Sequence, residues 1–387
     1  MKALIFNIPS YGHVNPTIPL MNELVARGVS IINYNGPSFR LNLPPEVTFT
    51  SCPFLELIDT KRFTKQISII QMIELLSGLV DELTGFTISQ IEQEKPDFII
   101  HDSFALWGKV ASFITKVPAA SSITTFAFNS KVLWSTPGFA LETMVTSCRH
   151  IKYLPKINHR LNSYFLKYRV KEGSAFDYIV NREKVNLVYT SSYFQPCGES
   201  FGPEFKFVGP MFQIDKPLEK QDLIYISLGT IYNNDPEFFQ MCFEALGDLP
   251  YKVILSLGKG LSASFDDTVP KNFEVHEFVD QVKVLQKAAL FITHGGMNST
   301  NEGLSMNTPL IMVPQISEQR LVAKRVQDLG AGIVLNRNHF NARMIRETVL
   351  KVLNDRSYLD SISKIRESFI ESGGVKRAAA EVLSLTE

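Results

Sequence analysis

Polar and charged residues crowd one strand-to-helix junction of the chain, in the stretch FITHGGMNSTNEG. An apolar run stops at His294, and a pattern typical of a helix start follows at once. The free N–H groups and the dipole of a helix start attract anions, and glycines let the backbone approach a phosphate closely. Glu302 lies four residues after Asn298 on the same helix face, ~6 Å further along the axis. This spacing suits a nucleoside diphosphate whose ribose hydroxyls bind the carboxylate. The residues concerned are His294, Gly295, Gly296, Asn298, Ser299 and Glu302.

An ordinary capped helix is the alternative at this junction, with Asn298 as the cap and Glu302 as a favourable charge early in the helix. A second junction, VPQISEQ, allows the same two explanations. Glu318 and Gln319 could hydrogen-bond sugar hydroxyls, or Ser317 could cap the next helix while Glu318 complements its dipole. The pattern alone leaves both explanations open.

A histidine and an aspartate follow two other apolar runs. His13, in IPSYGHVNP, comes before a helix that we expect Asn15 to cap, with Pro16 in its first position. His101 and Asp102 end the run DFIIHDSF. The first and fourth strands of a doubly wound sheet can end at one crevice, so His13 and Asp102 could form a general base and its orienting carboxylate. A satisfied core histidine and a helix-capping aspartate are the alternatives.

These junctions recur because short apolar runs alternate with amphipathic stretches in two successive series. Such alternation predicts parallel sheets covered by helices on both faces, with ligands bound past the carboxyl ends of the strands. The segment FVGPMFQIDKPLEKQ is polar, contains two prolines and indicates a boundary. We predict an α/β protein of two doubly wound, Rossmann-like domains. They comprise residues 1–210, a linker 211–221, residues 222–370, and a C-terminal helix 371–387 that packs back on the first domain.

The predicted elements follow from apolar periodicity. A long helix is expected over Ile67–Ile91. The predicted strands are Lys2–Ile8, Ser30–Tyr34, Phe98–His101, Ala119–Ile123 and Leu187–Tyr189 in the first series, and Leu223–Ser227, Lys252–Leu257, Phe273–Glu277, Leu290–Thr293, Leu310–Val313 and Gly332–Leu335 in the second.

Bulk composition narrows the class of protein. The 387 residues are 45% hydrophobic and 20% charged, and the net charge is zero, which argues against a nucleic-acid partner held by a broad basic face. No apolar run approaches the ~18 residues of a membrane span. Met1–Phe6 indicates a buried first strand of a cytoplasmic protein, because its apolar stretch is too short for a signal peptide. The cysteines have no metal or redox spacing, so we expect buried free thiols; they are Cys52, Cys148, Cys197 and Cys242.

The common glycine-rich signatures are absent in their usual form. The triplet from Gly258 to Gly260 lacks a third glycine and a helix start, and the triplet from Gly330 to Gly332 precedes a strand. There is no GxxxxGK[ST] loop and no GxSxG elbow. Asp266 and Asp267 sit in a polar loop without a nearby third ligand, which favours surface charges over a metal pair.

Two longer stretches resemble a known family. GHVNPTIPLMNELVARG is similar to the start, and HEFVDQVKVLQKAALFITHGGMNSTNEGLSMNTPLIMVPQISEQ to the donor-binding signature, of family 1 glycosyltransferases of the macrolide and flavonoid type. The likeness spans nearly the whole chain and is closest to small bacterial members that glucosylate phenolic or macrolide hydroxyls. It implies the GT-B fold, two domains facing a cleft, a UDP-sugar as co-substrate and no metal or other cofactor. It also implies a small-molecule acceptor, and we expect a monomer or weak dimer.

Carried over by position, the resemblance implies His13 as the catalytic base and Asp102 as its supporting carboxylate. It implies phosphate contacts near the start of the helix, ribose contacts at Glu302, and sugar-hydroxyl contacts at Glu318 and Gln319. Transfer would be a single displacement with inversion at the anomeric carbon. The implied donor residues are Ser227 and Thr230 of the SLGT loop, Phe278, Val279, Gln281, His294, Gly296, Asn298, Ser299, Glu302, Glu318 and Gln319.

One departure concerns the base of the donor nucleotide. The family opens its donor signature with Trp-x-Pro-Gln, whereas this chain has Phe278, Val279, Asp280 and Gln281. Phenylalanine stacks on a base over less area than tryptophan. The missing proline loosens the turn, and Asp280 adds a charge, so the preference for UDP over dTDP is left open.

The acceptor pocket is expected in the first domain, where aromatic residues are dense. Most of them should be core, and the rest would suit a flat or apolar acceptor. The residues expected in this core or pocket are Phe104, Trp107, Phe126, Phe128, Trp134, Phe139 and Met144.

Three hypotheses compete with a glycosyltransferase. They are a nucleotide-sugar epimerase or hydrolase on the same fold, a non-catalytic nucleotide-sugar sensor, and a nicotinamide dehydrogenase.

Overall fold

The structure is a computed structural model in which most of the chain forms two compact units. Unit 1 comprises Met1–Phe212 and Ser372–Glu387, and unit 2 comprises Gln213–Glu371. No helix among the described residues is both long enough and apolar enough to cross a membrane. The described residues are 1–52, 69–141, 145, 150–170, 181–216, 218–229, 235–258, 269–336 and 340–387. Met144, Cys148, Thr230, Gly260, Asp266 and Asp267 lie outside them.

Unit 1 is built on a seven-stranded parallel sheet of β1 (Lys2–Phe6), β2 (Ser30–Asn35), β3 (Thr48–Ser51), β4 (Phe98–Asp102), β5 (Ala119–Ile123), β6 (Val185–Val188) and β7 (Phe205–Phe207). The order is β3-β2-β1-β4-β5-β6-β7. Central strands such as KALIF and FIIHD are almost continuously buried, as expected where helices cover both faces. The strand order reverses between the paired strands β1 and β4, and ligands of such folds bind past the strand ends at a reversal.

The helices of unit 1 are α1 (Tyr11–Val14), α2 (Thr17–Ala26), α3 (Ile69–Ser77), α4 (Val80–Glu94), α5 (Leu106–Thr115), α6 (Ser130–Ser135) and α7 (Leu154–Lys167). The single helix predicted over Ile67–Ile91 is wrong, because a turn at Gly78 separates α3 from α4 and its N–H bonds the Leu75 carbonyl. The predicted N-cap role of Asn15 is wrong: Asn15 is the C-cap of the short helix α1, and Pro16 is the N-cap of α2 and not its first helical residue.

Unit 2 contains a six-stranded parallel sheet of β8 (Gln221–Ser227), β9 (Lys252–Ser256), β10 (Phe273–His276), β11 (Ala288–Thr293), β12 (Leu310–Met312) and β13 (Gly332–Val334), in the order β10-β9-β8-β11-β12-β13. Here the order reverses between β8 and β11. The helices are α8 (Pro236–Leu246), α9 (Gln281–Lys287), α10 (Met297–Ser305), α11 (Ser317–Asp328), α12 (Ala342–Asn354) and α13 (Ser357–Glu371).

The last helix, α14 (Gly374–Leu383), belongs to unit 1. Its buried residues Ala378 and Val382 join the core that contains Leu20 and Leu24 of α2. Arg27 at the end of α2 donates to the Lys376 carbonyl at 3.1 Å. The C-terminal residues Ser372–Glu387 therefore pack in the core of unit 1, although they follow unit 2 in the sequence.

The α/β class and the two parallel sheets are confirmed, and each predicted strand is present with its ends shifted by no more than two residues. Two strands were missed, Thr48–Ser51 and Phe205–Phe207. Both are short edge strands with partly exposed residues, so they lack the apolar run that marks a central strand. Cys52 and Cys242 are buried free thiols, and Cys197 is a partly buried one.

Candidate functional site

The first site residue, His13, lies on the short helix α1 just past the end of β1. Buried polar contacts fix this segment: Asn7 donates to the Thr17 hydroxyl at 3.4 Å, and that hydroxyl donates to the Val14 carbonyl at 2.8 Å. Asn33 on β2 donates to the Asn7 side-chain oxygen at 2.8 Å. Buried hydrogen bonds of this kind hold a polar segment in one arrangement. These contacts therefore hold α1, which carries His13, at the strand reversal of unit 1.

Asp102 ends β4 beside this loop, and the structure brings it into contact with His13. Asp102 Oδ2 is 2.6 Å from His13 Nδ1, and Oδ1 accepts from the Phe104 N–H at 2.8 Å. The carboxylate is fully buried, whereas the His13 side chain is 18% exposed. The alternative role for Asp102 is thus partly present, since one oxygen closes the turn before α5, whose cap is Ala105. The other oxygen is left for the histidine. We call this arrangement the β1–β4 corner.

Two further residues complete the β1–β4 corner. The Thr124 hydroxyl, one residue past β5, lies 3.2 Å from His13 Nδ1, and the ring of Phe104 packs edge-on against the imidazole with centroids 5.7 Å apart. Thr124 was not predicted, although its position directly after a buried strand was the available signal. A Nδ1–H that donates to the carboxylate leaves the lone pair of the neutral imidazole on Nε2. This tautomer is the one a general base needs.

The other aromatic residues expected near the acceptor divide into core and partly exposed groups. Trp107 and Phe126 are buried. Phe128 and Phe139 are half-buried and stack on each other with centroids 5.7 Å apart. Trp134 is 82% exposed. Phe104 is half-buried and packs against the His13 ring.

The corresponding position in unit 2, the β8–β11 corner, contains Ser227 at the end of β8 and His294 just past β11. The His294 ring lies against two glycines: an added Cβ would stand 2.6 Å from its Cε1 at Gly229 and 2.6 Å from its Nε2 at Gly296. Gly229 and Gly295 also have positive φ angles of 82° and 88°, which side chains rarely adopt. The glycines here make room for the imidazole as well as for an approaching ligand.

The electrostatic state of His294 differs from that of a general base. Burial lowers the pKa of His294 to about 4, opposed by a hydrogen bond to the Ser227 backbone. The ring is therefore neutral at pH 7. Its Nδ1 has no hydrogen-bond partner among the described residues. A neutral imidazole has a single N–H, which donates either to the Ser227 backbone or, in the Nδ1–H tautomer, to an anion.

Helix α10 begins with Met297 and is not capped by Asn298, so the capped-helix alternative is wrong. Its N-cap is Gly296, which has no side chain to accept from the first turn, and no acidic residue lies in that turn. Asn298 and Ser299 are instead the second and third residues of the helix, half-buried at its start. An uncapped N-terminus with neighbouring amide and hydroxyl groups is suited to an anion.

The carboxylate of Glu302 is joined to helix α9 at the same end. Gln281 Nε2 donates to Glu302 Oε2 at 2.6 Å and to the Ser299 hydroxyl at 3.1 Å, while Tyr225 donates to Gln281 Oε1 at 3.1 Å. Burial raises the pKa of Glu302 to about 7, and the Gln281 hydrogen bond opposes this rise. Gln281 was predicted to contact the donor; here its amide holds two other predicted donor residues.

The departure from the family motif has a local explanation in the structure. Phe278 is 53% exposed, as a residue that stacks on a ligand would be, and Val279 is half-buried. Asp280 caps α9, since its carboxylate accepts from the Lys283 N–H at 3.2 Å and pairs with Lys283 Nζ at 2.8 Å. Hydrogen bonding to Lys283 lowers the pKa of Asp280. The aspartate therefore takes over the helix start, and its charge is paired.

The last predicted pair lies at the start of α11. Ser317 is the first helical residue and not the cap, which is Ile316. Gln319 is buried, and its Oε1 accepts from the N–H groups of Gln315 at 2.8 Å and Ile316 at 3.3 Å. Only its amide N–H groups are therefore suited to a sugar hydroxyl. Glu318 is half-buried on the first turn.

Comparisons of the sequence with known proteins give matches over nearly the whole chain. Residues 240–380 match the family described as Erythromycin biosynthesis protein CIII-like, C-terminal domain. The chain is 32% identical over 399 residues to an uncharacterized UDP-glucosyltransferase, YojK, of Bacillus subtilis, covering 99% of this chain and 96% of that protein. It is 32% identical over 406 residues to the NDP-glycosyltransferase YjiC of Bacillus licheniformis, covering 98% and 96%.

Among solved structures, CalG4, the calicheamicin glycosyltransferase, superposes with a TM-score of 0.82 at 26% identity, covering 99% of this chain and 98% of that chain. Two parallel sheets with flanking helices and this likeness define a glycosyltransferase of the GT-B fold. The chain belongs to the bacterial family 1 glycosyltransferases, whose members include enzymes of natural-product glycosylation.

Proposed function

We propose that the protein transfers a hexose, glucose in the first instance, from UDP to a hydroxyl of a small apolar or aromatic acceptor, with inversion at the anomeric carbon. The similarity to a protein named as a UDP-glucosyltransferase supports the donor. The relatives that act on natural products support an acceptor of the phenol, flavonoid or macrolide type. The observation that carries the proposal is the 2.6 Å contact of His13 with the buried Asp102.

His13 acts as the general base in this proposal. Its Nε2 lone pair takes the proton of the acceptor hydroxyl while the acceptor oxygen forms its bond to the anomeric carbon. Asp102 fixes the tautomer through Nδ1 and stabilises the imidazolium without becoming protonated, as in other His–Asp pairs. The Phe104 ring beside the imidazole offers an apolar surface for the acceptor.

The bond from the anomeric carbon to the diphosphate oxygen breaks in the same step, and the electron pair leaves with the UDP. The uncapped start of α10 and the neutral His294 donate hydrogen bonds to this growing negative charge. Asn298 and Ser299 add side-chain donors there. Glu302 accepts from the ribose hydroxyls and Phe278 stacks on the base. This set of donors supports a reaction that needs no metal ion.

A mass-spectrometric transfer assay tests the proposal. The protein is incubated with UDP-glucose and a panel of phenols, flavonoids and macrolides in the presence of EDTA. We expect a product heavier by one hexose, absent with His13→Ala and retained with His159→Ala, a control at an exposed histidine of α7. UDP binding by calorimetry should survive in both variants.

Other outcomes point to the rival functions. Free glucose and UDP without any glycoside would indicate a hydrolase, and UDP binding without turnover would indicate a sensor. Near-full transfer to an alcohol by His13→Ala would contradict the base assignment. A product that EDTA abolishes would contradict the metal-free reaction.

A further inference from the structure

A partly buried lysine outside the predicted site joins two helices, α9 and α10, that carry predicted donor residues. Lys220 is the last residue before β8, and its Nζ lies among four oxygens: the carbonyls of Leu285 at 2.8 Å, Gln286 at 3.4 Å and Met306 at 2.7 Å, and the Thr308 hydroxyl at 2.9 Å. No step of the proposed reaction uses this amine. Any effect of Lys220 on the site must therefore act through the oxygens that its ammonium contacts.

The oxygens around Lys220 belong to the C-terminal ends of α9 and α10. Leu285 and Gln286 lie in the last turn of α9, and Met306 is the C-cap of α10. Helix C-termini expose carbonyls without intrahelical partners and carry the negative end of the dipole, so a cation is favoured there. The Thr308 hydroxyl also donates to the Leu285 carbonyl at 3.0 Å. A single ammonium thus connects both helix ends.

The opposite ends of the same helices are joined by Gln281, which donates to Ser299 and Glu302. Helix α10 has nine residues, and its contacts with Gln281 at Ser299 and Glu302 lie ~10 Å and ~6 Å along the axis from the Lys220 contact at Met306. A helix held at both ends cannot slide or tilt without breaking one of them. The position of Ser299 and Glu302 therefore depends on the contact at the far end of α10.

A second cation acts on the same helix end. Arg366 Nε on α13 donates to the Ser305 carbonyl at 3.0 Å, and its Nη2 donates to the Asp215 carbonyl at 2.7 Å. Burial lowers the pKa of Lys220 to about 7, whereas the surrounding oxygens favour the ammonium, which has three N–H donors. Ser305, Met306 and Thr308 are buried, so their oxygens need protein donors such as these.

We propose that Lys220 is a positioning residue of the donor site, which sets the placement of α9 and α10 and thereby the affinity for the nucleoside diphosphate. The inference rests on the proposed function, because it assumes that the N-terminal ends of these helices bind the donor. Lys220 touches neither substrate. Its effect reaches the donor through the rigid length of α10.

Calorimetric titration with UDP, together with steady-state kinetics, tests this role in the full-length protein. We expect Lys220→Met to raise the Kd of UDP and the KM of UDP-glucose by ~10-fold, since residues behind a binding site contribute on this scale. The KM of the acceptor should change less than ~2-fold, because the acceptor residues lie in unit 1. Lys220→Arg keeps the donors and should restore most of the affinity.

Arg346→Met is the matched control. Arg346 also binds a helix-end carbonyl, that of Ala245 at 3.1 Å, and pairs with Asp248. It joins α8 and α12, which carry no predicted donor residue. We expect it to lower the melting temperature as Lys220→Met does while leaving the Kd of UDP unchanged.

The outcomes separate the two proposals. Wild-type affinity in Lys220→Met, or an equal loss in Arg346→Met, would overturn the positioning role and leave the proposed function standing. If the wild-type protein bound neither UDP nor dTDP, both proposals would fail. If Lys220→Met does not fold, Lys220→Gln, whose amide reaches fewer of the oxygens, should show an intermediate loss, and wild-type affinity in that variant would overturn the inference.

Discussion

The β1–β4 corner of unit 1 and the β8–β11 corner of unit 2 have the same topology, and each holds a histidine beside the reversal of strand order. His13 follows β1, the first strand of its sheet, whereas His294 follows β11, which lies across the reversal from β8; doubly wound folds bind ligands at such reversals. His13 meets a buried carboxylate at 2.6 Å. His294 meets glycines and a backbone carbonyl, and burial lowers its pKa to about 4.

The protonation state and hydrogen-bonding role of a histidine at a strand end therefore depend on its surroundings and not on its residue type alone. A carboxylate behind the ring favours a proton acceptor whose charged form is stabilised. Burial without a carboxylate keeps the ring neutral, so it can only donate or accept a hydrogen bond. In the proposed reaction, one fold would thus supply a base for the acceptor and a neutral donor for the leaving group.

The largest effect is expected from removing the carboxylate of the β1–β4 corner. Asp102→Ala takes away the group that orients His13 and stabilises the imidazolium, so kcat should fall by ~10²–10⁴. The Kd of UDP should not change, because the donor residues lie in unit 2. Initial rates by mass spectrometry and calorimetric titration measure the two quantities. An equal loss in both would mean that this corner binds the donor and does not supply a base.

Removing the histidine of the β8–β11 corner should have a smaller effect that does not depend on pH. His294→Ala deletes one hydrogen bond to a charged group, which corresponds to a loss of ~10–100-fold in kcat/KM for the donor. Because the pKa of His294 is lowered to about 4, the ring is neutral at both pH 6 and pH 8, and the factor lost should be the same at each. A loss that grew toward pH 6 would reveal an imidazolium and erase the contrast with His13.

Two partly buried groups of the predicted donor site, Glu302 and His294, should give opposite dependences of stability on pH. The raised pKa of Glu302 contributes stability that is lost as pH rises from 4.5 to about 7, and the lowered pKa of His294 contributes stability that is lost as pH falls from 6.5 to about 4. Glu302→Gln removes the first contribution. It should therefore stabilise unit 2 at pH 7.5 relative to pH 5, compared with wild type, by on the order of 1–2 kcal/mol.

Differential scanning calorimetry is the suitable measurement, because both tryptophans, Trp107 and Trp134, lie in unit 1 and do not report on unit 2. Glu244→Gln, on the exposed side of α8, is the control and should leave the pH dependence as it is in wild type. The same variant series tests function, since Glu302→Gln should also weaken UDP binding. A variant that bound UDP normally would separate Glu302 from the ribose.

The sequence was informative where chemistry follows local pattern. Alternating apolar runs predicted both sheets, and polar residues directly after those runs predicted the corners that hold His13 and His294. Helix starts were less predictable: Asn298 and Ser317 have good capping side chains, yet α10 starts after Gly296 and α11 after Ile316. The tertiary context outweighs the local preference of a single cap residue.

Contacts between distant parts of the chain had no signal in the sequence. Lys220 donates to the carbonyls of residues 285 and 306. These two oxygens come close to one another only in the folded protein, where the C-terminal ends of α9 and α10 meet. Gln281 was recognised through the family motif, but its contacts with Ser299 and Glu302 depend on how α9 and α10 pack. The local sequence shows which residues follow a strand end. It does not show which residues from distant parts of the chain contact one another in the fold.

The smallest effect is expected from Thr124, which sharpens the comparison from within the β1–β4 corner. Its hydroxyl is 3.2 Å from His13 Nδ1, against 2.6 Å for Asp102, so the carboxylate is the stronger partner of the same N–H. Thr124→Val should reduce kcat by only ~2–5-fold, the scale of one neutral hydrogen bond. Thr124→Ser keeps the hydroxyl and should recover the rate. If Thr124→Val lost as much activity as Asp102→Ala, the base would depend on the Thr124 hydroxyl as much as on the Asp102 carboxylate. The buried carboxylate alone would then be insufficient to orient the His13 imidazole.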